Sequence, residues 1–143
     1  MHLDFRPLFS GSTGNSELVA FDDTVLLIDA GRTGKLLDEA IKAQGFDMRR
    51  VRAILVTHEH IDHIRGVGVL ARKYGMEVYA SAGTWAAMAE KVGEIPARQR
   101  CEFCPDEDFY IDRVHVSPFS IPHDAAQPTG YALSCGGKKV SGI

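Results

Sequence analysis

The sequence has few cysteines, no long apolar run and no excess of charge of either sign. Its three cysteines are an odd number and do not form the paired framework of a small secreted domain. No stretch approaches the roughly 20 apolar residues that a membrane span requires, and residues 1–11 lack the features of a signal peptide. The formal net charge of −3 gives no overall basic field for nucleic acid. These absences predict a cytoplasmic protein that does not bind membranes.

The remaining composition is that of one folded domain, which we place over residues 1–143. The chain is 45% hydrophobic and 24% charged, which fits a globular domain with a buried core. Strand-like and amphipathic helical segments alternate in the first half, and the second half contains only strand-like segments. This order predicts a mixed α/β layered sheet. The predicted strands are 3–9, 16–21, 24–28, 53–56, 77–80, 109–111, 114–119, 131–134 and 138–140. The predicted helices are one between Thr33 and Gly45, then 64–74 and 84–92.

Four potential metal ligands lie within six residues, in the segment His58-Glu59-His60-Ile61-Asp62-His63. The segment follows an apolar strand and precedes a helix, so it lies where open α/β sheets keep their sites. Side chains two residues apart on an extended segment point the same way, so His58 and His60 can bind one metal ion. Asp62 and His63 lie past the turn and can face a second ion. These ligand types fit zinc, with manganese or iron as alternatives.

The pattern His-x-His-x-Asp-His after an apolar strand resembles the signature of the metallo-β-lactamase superfamily. Other segments are similar to its YycJ/WalJ branch: SGSTGNS at 10–16, LIDAG at 27–31, THEHIDHIRG at 57–66, VLARKY at 69–74, TWAAM at 84–88 and HDA at 123–125. The resemblance implies a metal-dependent hydrolase, specifically a DNA exonuclease that uses a metal-activated water. It also implies an αββα sandwich, of which this chain holds the N-terminal half and the first strands of the second half.

The resemblance also implies roles for individual residues. His58 and His60 would hold the first metal with His123, which follows a later strand. Asp62 and His63 would belong to a second metal. Asp62 would also position the attacking water or act as a base.

Four further residues carry weaker expectations. Asp29 matches an aspartate that braces the histidine loop through hydrogen bonds, although it could equally cap a turn. Asp124 either orients His123 or caps a loop. Ser12 and Asn15 lie in a glycine-rich turn that either contacts a substrate phosphate or is only a tight turn.

The sequence departs from the superfamily pattern at its end. A dinuclear site of this type also needs a bridging aspartate and another histidine, both from beyond Ile143. We therefore expect a truncated member whose second site is incomplete and whose activity alone is slow or absent. One alternative is a metal-binding half-domain without activity, able to form a homodimer through a free sheet edge at 138–143. Another is a hydrolase of a thioester or other small ester; a lactamase is disfavoured because it would need export.

Overall fold

The computed structural model describes residues 1–142 and consists of two β-sheets packed face to face, with α-helices on the outer face of the first sheet. The first sheet has six strands in sequence order: β1 (Leu3–Phe9), β2 (Ser16–Phe21), β3 (Thr24–Ile28), β4 (Val51–Leu55), β5 (Glu77–Ser81) and β6 (Arg100–Phe103). Its first three strands are antiparallel, and β3 to β6 are parallel. The predicted mixed α/β fold is confirmed.

The second sheet is antiparallel and has the strand order β10-β9-β8-β7. Its strands are β7 (Phe109–Ile111), β8 (Val114–Ser120), β9 (Thr129–Cys135) and β10 (Lys138–Val140). The helices are α1 (Gly34–Ala43), α2 (Ile61–Ile64), α3 (Val67–Tyr74) and α4 (Ala82–Val92), with single 3₁₀ turns at Met48–Arg50 and Ala97–Gln99. None of the helices within residues 1–142 is long and apolar enough to cross a membrane.

Strand β3 shows why the central strands are apolar on both faces. Leu27 points toward the helices, where it packs in one core with Leu37, Ile54 and Leu70. Its neighbours Leu26 and Ile28 point the other way, into a second core between the sheets. Strands buried on both faces read as continuous apolar runs, since alternate side chains enter different cores.

The predicted single helix over 64–74 is wrong, because the structure has two helices with a break at Gly66. The Gly66 amide donates to the Ala30 carbonyl (2.8 Å), and the Ala30 amide donates to the His63 carbonyl (2.9 Å). A Cβ at position 66 would also overlap the carbonyl oxygen of Arg32. The chain therefore leaves the helix here to pair with the loop after β3, which fixes the histidine segment to the sheet.

The predictions also missed β6, which pairs in parallel with β5 at the edge of the first sheet. Other elements are found where they were predicted, with ends shifted by one or two residues. Thr33 caps α1 by accepting from the Leu36 amide, and Ser81 caps α4 by accepting from the Thr84 amide. The predicted free edge at 138–143 begins with β10, and Ile143 lies outside the described residues.

Candidate metal centre

Two loops at the same end of the sandwich form the candidate metal centre. The histidine segment follows β4 at its carboxyl end, and His123 lies in the loop between β8 and β9. A backbone hydrogen bond from the Thr129 amide to the Thr57 carbonyl (2.8 Å) joins the two loops. His58 and His123, which are 65 positions apart in sequence, thus meet at one end of the two sheets.

Three histidines converge at this point. The ligand-capable atoms of His58, His60 and His123 all lie within 4.8 Å of one another. The Nε2 atoms of His58 and His123 are only 3.2 Å apart. The ring centroids of His58 and His60 are separated by 4.6 Å. Three imidazoles at this spacing can bind one ion and leave a position open for water or substrate, as catalytic zinc sites do.

The tautomer of His58 follows from its hydrogen bonds. The Thr57 hydroxyl donates its proton to Asp29 Oδ2 (2.7 Å) and lies 2.9 Å from His58 Nδ1. That hydroxyl therefore accepts from Nδ1–H, and the lone pair of His58 lies on Nε2, toward His123. Burial and the nearby histidines also lower the pKa of His58 to about 4. His58 is thus a neutral ring whose Nε2 lone pair faces Nε2 of His123 at 3.2 Å. A cation can bind between these two nitrogens.

Asp29, at the end of β3, is the central hydrogen-bond acceptor beneath the histidines. Its carboxylate accepts from the Thr57 amide (2.7 Å), the Thr57 hydroxyl (2.7 Å) and His63 Nδ1 (2.6 Å). It is buried, and its φ of 63° lies in the left-handed region that residues other than glycine rarely adopt. Burial raises the pKa of Asp29, although the hydrogen bonds from His63 and Thr57 oppose the shift. Asp29 thus links Thr57, which precedes the histidine segment, to His63 at the end of the segment.

His63 and Asp62 lie on the other side of His58. The ring centroids of His58 and His63 are 4.0 Å apart. His63 Nδ1 faces Asp29, and its Nε2 lies 3.8 Å from Asp62 Oδ2. Burial is the largest single effect and opposes protonation of His63, but the hydrogen bond to Asp29 and the charges of Asp29, Asp62 and Glu17 together outweigh it and raise the pKa of His63. These two side chains offer a nitrogen and an oxygen ligand beside the three-histidine cluster.

A cavity of about 420 Å³ opens beside the histidines. One wall is polar and includes His58, His63 and His123. Its apolar lining comes from the end of β8 and the loop after it: Phe119, Ile121 and Pro122. A substrate group could enter here with its reacting atoms against the histidines and its apolar part against the second sheet.

Comparison with known proteins identifies the fold. Residues 10–140 match the family model described as the metallo-beta-lactamase superfamily. The chain belongs to the metallo-β-lactamase superfamily. Solved structures agree on the fold. A metallo-β-lactamase from Cronobacter sakazakii has a TM-score of 0.76 and 24% identity over 93% of this chain and 57% of its own. The Rm3 metallo-β-lactamase has a TM-score of 0.74 and 22% identity over 95% of this chain and 59% of its own.

Curated members of the superfamily are more similar in sequence. The exodeoxyribonuclease YycJ of Bacillus anthracis is 43% identical over 99% of this chain and 53% of its own length. The exodeoxyribonuclease WalJ of Streptococcus pneumoniae is 40% identical over 87% of this chain and 47% of its own. A hydroxyacylglutathione hydrolase of Bdellovibrio bacteriovorus is 34% identical over 55% of this chain and 30% of its own. The chain therefore spans about half the length of the curated nucleases it matches.

Some predicted site residues of this superfamily member lie away from the histidines. Ser12 is exposed in the glycine-rich turn, and no side-chain hydrogen bond from it is found within residues 1–142. Asp124 is also exposed, and in the described part of the chain it makes no hydrogen bond to His123. Asn15 does contact the segment, through Asp62. The expectations for Ser12 and Asp124 stay predictions.

Three supporting residues were not predicted from the sequence. Glu59 Oε2 accepts from the Ala126 amide (3.0 Å) and so ties the histidine segment to the loop of His123. Gln127 anchors the other end of that loop to α4, because its Oε1 accepts from the Gly83 amide (2.8 Å).

Glu17 lines the cavity. Its pKa is raised mainly by burial and secondly by the negative charge of Asp29. Glu17 could have been identified from the sequence as a charged residue within the otherwise buried strand β2.

Proposed function

We propose that the chain binds a divalent ion through His58, His60 and His123. The close approach of two imidazole nitrogens, each able to present a lone pair, is the observation that supports this most directly. Zinc fits three neutral imidazoles best, and Mn²⁺ or Fe²⁺ are the other candidates. Asp62 and His63 would begin a second site, which lacks its remaining ligands within the described residues.

We propose further that this centre hydrolyses phosphodiester bonds in DNA, which the similarity to two exodeoxyribonucleases supports. A bound divalent ion supplies a Lewis acid that polarises a phosphoryl oxygen and makes water more acidic. Asp62 lies next to the histidines with its side chain partly exposed, so its carboxylate can orient a water and take up its proton. The apolar residues Phe119 and Ile121 would contact the apolar part of the substrate.

Two other functions are consistent with the same centre. The chain could bind metal without activity of its own, since it spans about half of its nuclease relatives. It could also hydrolyse a thioester or another small ester, a function supported by its similarity to hydroxyacylglutathione hydrolases, whose named substrates are acyl thioesters.

The first test is the metal content per chain, measured by mass spectrometry on protein purified without added metal or chelator. We expect one bound ion in the wild type and in His115→Gln, a histidine that pairs with Asp108 on the second sheet. We expect none in His123→Gln. Failure of the wild type to bind any ion would contradict the proposal.

The second test compares substrates on the same preparations: linear DNA, an acylglutathione thioester and a β-lactam. We expect slow DNA cleavage by the wild type and by His115→Gln, and none by His123→Gln. Cleavage of the thioester alone would favour the small-ester hydrolase, and metal binding with no cleavage would favour the inactive half-domain.

We keep two further expectations as proposals, a cytoplasmic location and a homodimer through β10. The structure offers little for the dimer, because β10 has three residues and its edge carries the exposed Lys138 and Lys139. Lysines on an edge strand oppose pairing with an identical strand. Light scattering on purified protein would decide, and a mass of one chain would contradict the dimer.

A further inference from the structure

Asn15 is the only asparagine in the chain, and it lies between the glycine-rich turn and Asp62. Its Nδ2 donates to the Gly11 carbonyl (2.9 Å), and it shares its second hydrogen between the Asp62 carbonyl (3.3 Å) and Asp62 Oδ2 (3.2 Å). Its Oδ1 accepts from the Gly11 amide (3.1 Å), and its backbone amide donates to the Asp62 carbonyl (2.7 Å). Every polar group of its side chain is therefore occupied within the protein.

We infer that Asn15 is a positioning residue that orients the carboxylate of Asp62, rather than a contact for the substrate phosphate. Both hydrogens of its amide are already bound to protein acceptors, so neither is left for a phosphate oxygen. The inference rests on the proposed function, because orienting Asp62 matters only if Asp62 serves the metal centre.

The backbone around Asp62 supports this role. The Gly31 amide donates to the Asn15 carbonyl (2.9 Å), and a Cβ at position 31 would overlap the Asp62 carbonyl oxygen. Two loops thus hold the main chain of Asp62 tightly. Among the described side chains, only that of Asn15 donates a hydrogen bond to the Asp62 carboxylate, and it does so at Oδ2.

The test is a pair of substitutions that exchanges donor and acceptor. Asn15→Asp places two carboxylates against each other and removes the donor, so we expect a lower urea midpoint of unfolding for the metal-free protein. Adding Asp62→Asn restores a donor and an acceptor at the contact with Oδ2 but not the donation to the Gly11 carbonyl, so we expect it to recover part of that loss. Thr13→Ala, in the same exposed turn, serves as the matched control, and its combination with Asp62→Asn should be additive. Additive effects of Asn15→Asp and Asp62→Asn would overturn the inference.

A second measurement separates orientation from general support of the fold. Asn15 contacts none of His58, His60 and His123, so Asn15→Asp should keep zinc affinity within about twofold. Its rate of DNA cleavage should fall about 10–100-fold, as is usual when a residue supporting a metal-site ligand is lost. Equal losses in zinc affinity and rate, or an unchanged rate, would overturn the positioning role. A wild type that binds no metal would overturn both this role and the proposed function, whereas metal binding with an additive cycle overturns only the inference.

Discussion

At the residue scale, Asp29 decides how the histidine segment is held. Its two oxygens receive three hydrogen bonds, and through Thr57 and His63 they fix both halves of the segment. The left-handed conformation of Asp29 turns the chain sharply at the end of β3, so its carboxylate lies under the next loop. A fully accepting carboxylate is required here, because all three partners present hydrogens.

Asp29→Asn tests this requirement. The amide keeps the shape of the side chain but turns one acceptor into a donor that faces a hydrogen of Thr57 or His63. We expect zinc affinity to fall about 10–100-fold, as it does when the hydrogen-bond partners of metal ligands are lost. The measurement is zinc titration against a competing chelator. Asp112→Asn is the matched control, since Asp112 also has a positive φ but pairs with Arg52 away from the histidines. Equal affinities in the two variants would contradict the role of Asp29.

His58 should make the stability of the metal-free protein depend on pH. Its pKa of about 4 lies below the 6.5 of an ordinary histidine, because it is buried among other histidines. The unfolded chain therefore binds a proton more readily, and the free energy of unfolding falls as the pH drops from about 6.5 to about 4. Urea unfolding in the presence of a chelator at several pH values would measure this. His58→Gln should lose less stability over that range, and parallel curves would contradict the assignment.

At the element scale, the sequence predicts local features better than distant ones. The candidate ligands His58, His60, Asp62 and His63 could be predicted because they are closely spaced and follow an apolar strand. The break at Gly66 was not visible, because its cause is pairing with a loop more than 30 residues earlier. Strand β6 was missed for a similar reason: its short mixed sequence becomes a strand by pairing with β5.

The loop that carries His123 depends on a contact of the same distant kind. Gln127 accepts from the Gly83 amide with its side chain and from the Ser81 hydroxyl with its carbonyl, so the start of α4 holds this loop. We expect Gln127→Ala to lower zinc affinity about tenfold, because His123 loses its fixed position. Gln44→Ala is the control, since Gln44 accepts one side-chain hydrogen bond from Arg6 instead. Zinc titration of the two variants, with their urea midpoints, would show whether the loss is specific to the metal; equal zinc affinities would contradict it.

At the scale of the whole molecule, one end of the two-sheet sandwich forms the candidate metal centre. The loop after β4 and helix α2 place His58, His60, Asp62 and His63 there, and the loop after β8 places His123 beside them. The core between the sheets sets the distance between these loops. Tyr131 of β9 is fully buried in that core, and its hydroxyl donates to the carbonyl of Val56, just before the histidine segment (2.6 Å).

We therefore expect Tyr131→Phe to weaken the contact between the two sheets. The ring still fills its space, but the buried carbonyl of Val56 loses the tyrosine donor, which costs about 1–3 kcal/mol of the free energy of unfolding. Tyr110→Phe on β7 is the matched control, because Tyr110 is 66% exposed, and we expect it to change stability by less than about 0.5 kcal/mol. Urea unfolding of the two metal-free variants would measure both values. Equal stabilities would contradict the role of Tyr131, since the buried hydrogen bond is then not needed to hold the second sheet against the loop that precedes the histidine segment.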